Sequence, residues 1–109
     1  MAGQSGTRGL STTVAADGTA VIRIRPGGLY PWNVTQVTAE NKDAPAGATC
    51  SLRRNGFLVT PLVPNGDAGA GDPPVPIDPQ DDLTVEWAGC TPGQLVRALI
   101  FFDQIRPGQ

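Results

Sequence analysis

Apolar and polar residues alternate along much of this chain with the two-residue period of β-strands. The pattern is clearest near the end, where Leu83, Val85 and Trp87 alternate with Thr84 and Glu86. Successive side chains of a strand point to opposite faces of the sheet, so this period predicts strands that bury one face. The chain is therefore expected to consist of strands.

Two dipeptides mark sharp turns between such segments. Asn55-Gly56 lies between alternating segments within residues 49–60, and Asp17-Gly18 lies between similar segments within residues 11–25. Both dipeptides favour the positive φ angles of a two-residue hairpin turn. The sequence therefore predicts one β-hairpin at each position.

The phase of the alternation changes once inside a single predicted strand, residues 32–40. Trp32 and Val34 have the same parity, whereas Val37 and Ala39 have the opposite parity. An extra residue in one strand of a pair produces such a shift. We therefore expect a β-bulge here, or a crossing between sheets.

Proline and glycine divide the chain into short pieces. The 109 residues include 11 prolines and 14 glycines, which argue against a helical bundle and favour strands joined by turns. The predicted fold is all-β, a single antiparallel β-sandwich of about seven to eight short strands, with a barrel as the main rival. The expected organisation is an N-terminal arm (1–11), the sandwich (12–105) with a Gly/Pro-rich loop (61–82), and a C-terminal tail (106–109). Within the loop, Val75 and Ile77 predict a short edge strand.

The charge and the length of the apolar segments argue against two classes of partner. The net charge is −2, from ten acidic and eight basic residues, so no broad basic face is available for a phosphate backbone. No segment approaches the roughly 20 apolar residues that a membrane helix needs, and residues 1–13 do not resemble a signal peptide. We expect no nucleic-acid partner and no membrane association.

Candidate catalytic and metal-binding groups are few. The chain has no histidine to act as a base, and Lys42 is its single lysine. Asp81-Asp82, Asp67 and Asp72 lie in predicted solvated loops, where solubility explains them better than acid–base chemistry. Residues 65–72 offer oxygen ligands but lack the alternation and the final bidentate glutamate of a calcium loop. We expect no enzymatic activity, no metal and no cofactor.

The two cysteines, Cys50 and Cys90, lie on different predicted elements. They could form a disulfide between the two sheets of a sandwich. Without a secretion signal, two small buried side chains are the favoured interpretation. Two cysteines also fall short of the four ligands of a structural zinc site.

Three aromatic residues could contribute to a ligand site. Tyr30, Trp32 and Trp87 have flat rings of the kind that stack on sugars. Trp32 and Trp87 are each in phase with aliphatic neighbours, which favours a place in the core. Tyr30, in a proline-bounded turn, is the aromatic residue we expect to be the most exposed.

The last predicted strand is apolar on both faces. Val96, Ala98, Ile100 and Phe102 form one face, and the other is formed by Leu95, Arg97, Leu99 and Phe101. Leaving the second set in water would forgo about 1.5 to 3 kcal/mol for each large apolar side chain. The sequence therefore predicts that this second set is a protein interface, in an oligomer or on a larger assembly. The alternative is that the loop at residues 61–82 covers it.

Four sequence features together resemble a known class of protein. They are PGGLYPWNV at residues 26–34, SLRRNG at 51–56, Gly71-Asp72, and DLTVEWAGCTPG at 82–93. Across residues 18–102 the chain resembles small β-sandwich virion proteins of tailed bacteriophages that infect high-GC actinobacteria.

The resemblance implies a non-enzymatic structural role on a virion. The expected function is a capsid decoration or cement protein, with a minor tail or baseplate component as the alternative. The expected partners are the major capsid protein or other virion proteins, together with further copies of this chain, a trimer being favoured. The protein would be made in the host cytoplasm, and on the virion the capsid surface is favoured over the tail. The rival from another class is a carbohydrate- or receptor-binding module that uses Tyr30 and Trp32.

Overall fold

The computed structural model describes residues 4–27, 30–42, 44–69 and 75–105, and these residues form a two-layered, all-β structure. Its strands are β1 (Gln4–Thr13), β2 (Ala20–Ile24), β3 (Trp32–Glu40), β4 (Thr49–Arg54), β5 (Phe57–Leu62), β6 (Gly66–Gly69), β7 (Val75–Ile77), β8 (Leu83–Ala88) and β9 (Leu95–Gln104). The predicted antiparallel β-sandwich is confirmed. The described residues contain nine strands, slightly more than the seven to eight expected.

The strands form one five-stranded and one four-stranded sheet. In the larger sheet the order is β1-β9-β3, and β6 and β7 both pair with the far side of β3. In the smaller sheet the order is β2-β8-β4-β5. Strand β9 lies inside the larger sheet, because all ten of its residues pair with β1 on one side and residues 97–104 pair with β3 on the other.

The core lies between the two sheets and is made of alternating strand residues. Trp87 is 1% exposed, and its indole nitrogen donates a hydrogen bond to the carbonyl of Pro64 at 3.1 Å. The core cluster that contains Trp87 also includes these buried aliphatic side chains: Ile22, Ile24, Leu52, Val85, Val34, Val37, Val96 and Ile100. Each such side chain contributes about 1.5 to 3 kcal/mol through burial, so this layer is the main source of stability.

The predicted irregularity in β3 is a β-bulge. Val34 pairs with Phe102 and Gln36 pairs with Phe101, so Thr35 is the extra residue. The hydroxyl of Thr35 donates to the carbonyl of Phe101 at 3.2 Å. The bulge shifts the parity of the strand, so that both Val34 and Val37 face the core.

The Asn55-Gly56 hairpin is confirmed. These residues have φ values of 51° and 86°, and Arg54 pairs with Phe57 across the turn. Positive φ at both central residues is the geometry of the turn type that matches the twist of a hairpin.

The hairpin predicted at Asp17-Gly18 is wrong, although the turn itself is present. Gly18 has a φ of 84°, and a carboxylate oxygen of Asp17 accepts a hydrogen bond from the Thr19 amide at 3.1 Å. The strands on either side belong to different sheets, because β1 pairs with β9 and β2 pairs with β8. Backbone bonds from Val14 to Gln94 and from Cys90 to Gly18 hold this turn between the sheets.

Most of the segment predicted as an N-terminal arm is part of the sandwich. Residues 4–11 lie in β1 and pair one by one with β9. At two glycines of β1, large side chains of β9 lie close against the strand. A Cβ atom at Gly6 would lie 2.6 Å from the ring of Phe102, and one at Gly9 would lie 2.7 Å from Leu99. Two glycines of the predicted arm thus lie beneath large side chains of β9.

The described parts of the predicted loop at residues 61–82 are more regular than expected. Strand β5 continues to Leu62, and β6 forms four residues of pairing with β3. The predicted edge strand is confirmed as β7, in which Ile77 pairs with Trp32. The tail predicted at residues 106–109, residues 1–3 and the middle of the loop lie outside the described residues.

Gly56→Ala should lower the free energy of unfolding by about 1 to 2 kcal/mol, because φ at this position is 86° and a side chain is strained there. Gly47→Ala is the matched control, since it also meets open space but has no such φ. Urea unfolding of both variants measures the difference. Equal stabilities would contradict the assigned turn geometry.

Candidate functional site

The predicted interface residues share one surface, the outer face of the five-stranded sheet. Val96, Ala98 and Ile100 of β9 have no exposed area, so the alternate residues point away from the core. We define the outer face as the surface formed by Leu95, Arg97, Leu99 and Phe101 with their neighbours on β1 and β3. The pattern in the sequence had placed these four side chains together.

The apolar residues of the outer face differ in exposure. Leu95 is 66% exposed, whereas Leu99 and Phe101 are half-buried. Leu99 lies across Gly9 of β1, which has no side chain to displace it, and Thr38 of β3 stands on its other side. Part of the apolar surface that the sequence assigned to a partner is therefore covered by the chain's own neighbouring strands.

Arg97 lies near the end of the outer face, in register with Glu40 of β3. Its Nε atom is 4.0 Å from a carboxylate oxygen of Glu40, and both side chains are about half exposed. An exposed pair of this kind contributes little to stability and remains available to a partner. Beside it is a depression of about 380 Å³ lined by Glu40, Asn41, Lys42, Gln94, Leu95 and Arg97.

The described residues of the 61–82 segment do not support it as a cover for the outer face. β6 and β7 extend the sheet beside β3, on the side opposite β9. Between β5 and β6, Pro64 accepts the hydrogen bond from Trp87, and the side chain of Asn65 accepts one from the backbone of Asn41 at 2.9 Å. Pro64 and Asn65 are therefore hydrogen-bonded to a core side chain and to the backbone just after β3, and neither bond is to a residue of the outer face.

The candidate ligand-facing aromatic residues are not on an open surface. Trp32 is 3% exposed, and its ring stacks on Phe102 with centroids 3.7 Å apart and an angle of 9°. The guanidinium of Arg8 lies 5.2 Å from the centroid of the Trp32 ring. Tyr30 is half-buried. Trp32, like Trp87, is a core side chain, so it provides no platform for a sugar.

A second exposed apolar surface lies at the β4–β5 hairpin and was missed in the sequence. Phe57 is 79% exposed and Leu58 is 56% exposed. They border a depression of about 500 Å³ lined by Arg54, Asn55, Phe57, Leu58, Val59, Val75 and Pro76. The available signal was the run of three apolar residues at 57–59, since successive residues of one strand cannot all face the core.

The paired carboxylates Asp81 and Asp82 hold the hairpin and β2 in place. Asp82 forms ion pairs with Arg25 and Arg23, and Asp81 accepts a hydrogen bond from the Asn55 side chain at 2.9 Å. The hydrogen bond and charge of Arg25 lower the pKa of Asp82, and the hydrogen bond from Asn55 lowers the pKa of Asp81. Both groups stay ionised as structural anchors, and neither has the raised pKa of a general acid.

The other acidic candidates give no site. Asp67 lies in β6, and Asp72 lies outside the described residues. Within the described ranges, no three histidine, cysteine or acidic side chains are grouped closely enough to hold a metal ion.

The two cysteines are free and buried. The amide nitrogen of the Asn41 side chain donates to the Cys90 sulfur at 3.3 Å. Burial raises the pKa of Cys50 to about 12, so its thiol is neutral at physiological pH and a poor nucleophile.

The comparisons with known proteins identify no family. No protein-family model matches the chain, and no curated protein matches it. Among solved structures, the Drosophila NLP core, studied for pentamer formation and histone binding, is 12% identical, with 94% of this chain and 100% of that chain covered and a TM-score of 0.41.

Two further solved structures match this chain with a small part of their length. Latent PorU from Porphyromonas gingivalis is 17% identical with a TM-score of 0.34, and the match covers 96% of this chain but 11% of PorU. A β-glucosidase from Paenibacillus barengoltzii is 20% identical with a TM-score of 0.29, and 90% of this chain matches 10% of that enzyme. Similarities of this size support no functional conclusion. In the part of the chain that the structure describes, no helix has the length and apolar character needed to cross a membrane.

Asp82→Asn should destabilise the fold at neutral pH because it removes the charge that pairs with Arg25. The pKa of Asp82 is lower in the folded chain than its ordinary value of 3.8, so its contribution is present above that pH and is lost as the pH falls below it. Urea unfolding at pH 7 and pH 3 should show a difference from wild type that shrinks at pH 3. Asp78→Asn, an exposed neighbour, is the control, and an equal effect of both changes at pH 7 would contradict the anchor role.

The native thiols should resist a thiol-specific reagent such as 5,5′-dithiobis(2-nitrobenzoate) at pH 8, because both cysteines are buried and burial raises the pKa of Cys50 to about 12. In denaturant, both thiols of each chain should react within minutes. Rapid reaction of the folded protein would show that the cysteines are accessible. A denatured chain with no reactive thiol would show that they form a disulfide.

Proposed function

We propose that this chain is a non-enzymatic structural protein of a bacteriophage virion, a decoration or cement protein that binds the capsid surface through the outer face. The observation that carries the proposal is the arrangement on β9, where a strand already buried on one side presents Leu95, Leu99 and Phe101 on the other. An exposed leucine beside half-exposed apolar neighbours is suited to burial against a partner.

The composition of the outer face supports a protein partner. Leu99 and Phe101 are neighbouring apolar residues on this face, and Arg97, which pairs with Glu40, lies between Leu99 and Leu95. Specific protein interfaces commonly combine large apolar residues with arginine. The partner we propose for the outer face is the major capsid protein, and we propose separately that the chain associates with further copies of itself.

The chemistry of the described residues favours a structural role over catalysis. Asp81 and Asp82 are engaged as anchors, and burial makes Cys50 a poor nucleophile. A sugar-binding role has less support than a structural one because Trp32 is enclosed by Phe102 and Arg8. A position on the tail would use the same outer face, so it is distinguished by where the protein is found on the particle.

Mass spectrometry of purified phage particles tests the proposal. The protein is expected in many copies per particle, and it should remain with the capsid when capsids are separated from tails. Recovery with the tail fraction would replace the capsid assignment with the tail alternative. Absence from washed particles would overturn the virion role.

Leu95→Asp should weaken binding to capsids assembled without this protein by about tenfold or more, because it places a charge on the most exposed apolar residue of the outer face. Val21→Asp is the matched control, since Val21 is 48% exposed on the four-stranded sheet, away from the outer face. Co-sedimentation of each variant with capsids measures the affinity. Equal loss in both variants would contradict the assignment of the outer face.

A further inference from the structure

Strand β1 is the longest open edge among the described strands of the sandwich. It contains ten residues and is the last strand of its sheet, so β9 lies on one side and no described strand pairs with the other. The pairing with β9 runs from Gln4 to Thr13 without a register shift. The edge of β1 that faces away from β9 therefore presents a long, regular row of backbone N–H and C=O groups.

The hydrogen bonds at the end of β1 show which backbone groups face outward. The amide of Val14 donates to Gln94 at 2.8 Å, and the Val14 carbonyl accepts from Gly93 at 3.0 Å. In an antiparallel pair the residues alternate between bonding to the neighbour and pointing away from it. Thr12, Leu10 and Arg8 therefore bond to β9. The residues that point their N–H and C=O groups to the open side are Thr13, Ser11, Gly9 and Thr7.

The other edge strands of the two sheets carry features that hinder pairing with a further strand. Pro61 interrupts β5 and Pro76 interrupts β7. β2 is five residues long and carries Arg23, and β6 is four residues long. Short edges, prolines and charges are common means of preventing edge-to-edge association. β1 has no proline or lysine and its single charge is Arg8.

We propose that β1 pairs antiparallel with β1 of a second copy of this chain, which joins the two five-stranded sheets into one continuous sheet. A head-to-tail ring through this sheet would have to match β1 with the four residues of β6 or the three of β7. The one edge of equal length is β1 itself, so the contact is between identical strands around a two-fold axis. This geometry favours a pair over the trimer expected from the sequence.

The side chains of β1 select the register of this contact. Leu10 is 43% exposed, and a two-fold axis at Leu10 sets the two leucines side by side. Arg8 then lies opposite Thr12 of the second copy. An axis at Arg8 would instead place two arginines of like charge at directly opposite positions, which is unfavourable. On the other face of the strand, Gly9 lies opposite Ser11, so the backbones can approach without steric conflict.

The edge of β1 is thus the surface that we assign to the self-association proposed above. Sedimentation tests this assignment whether or not the protein is part of a virion. Sedimentation of the purified full chain at micromolar concentration should show two copies per particle. Ser11→Pro removes an outward N–H twice in each pair and leaves the bonds to β9 intact, so the dissociation constant should rise by about tenfold or more. Ser11→Ala keeps the N–H and is the matched control. Circular dichroism checks that both variants remain folded.

A crosslink tests the register and does not depend on the proline variant. In the proposed pair the two Leu10 Cα atoms are about 4.5 Å apart, which is within the range for a disulfide. Leu10→Cys should therefore form a covalent dimer on mild oxidation, whereas Thr12→Cys, which lies opposite Arg8, should not. The buried native cysteines do not compete. A monomer or a trimer in sedimentation would overturn the proposal, and so would a dimer in which Leu10→Cys forms no crosslink.

Discussion

The structure depends on the two-sided pairing of β9. This strand pairs with β1 along its whole length and with β3 from Arg97 to Gln104, and its inward residues Val96, Ala98 and Ile100 are fully buried. A strand in this central position satisfies its backbone groups on both edges while it contributes to the core. The bulge in β3 and the glycines in β1 are both adjustments to β9: the bulge keeps Val34 and Val37 directed to the core, and the glycines make room for Phe102 and Leu99.

The same central position explains why the candidate site is on β9 and why it is only partly exposed. The residues that alternate with the core set must face outward, and three of those four are apolar. Leu99 and Phe101 gain cover from strands of the chain itself, whereas Leu95 at the strand end stays open. The apolar surface of the outer face is thus partly covered within the chain, and Leu95 is its most exposed residue. The neighbouring strand β1 is the edge of this sheet, and in the proposed pair it would form a contact of a different kind, made by backbone hydrogen bonds.

Local signals in the sequence predicted correctly those features that depend on neighbouring residues alone, such as the backbone conformation of a turn. Asn55-Gly56 adopts the positive φ angles that its residues favour, and the parity change in residues 32–40 is a bulge. Asp17-Gly18 shows the limit of such signals. The turn forms as its residues dictate, but a turn does not determine which sheet each flanking strand joins. The sheet that a strand joins depends on partner strands distant in the chain. All ten residues of β1 pair with β9.

By itself, the sequence determined the all-β class, the alternation that defines the core and the set of residues that share the outer face. It could do so because a period of two residues fixes the face of the sheet to which each side chain points. It also determined that Trp32 and Trp87 are in phase with aliphatic neighbours, as core residues are. Only the tertiary structure decided that residues 4–11 form a strand, how far Leu99 and Phe101 are covered, and that Phe57 is exposed. These properties arise from contacts between segments far apart in the chain, such as Gly9 with Leu99, and no local pattern records them.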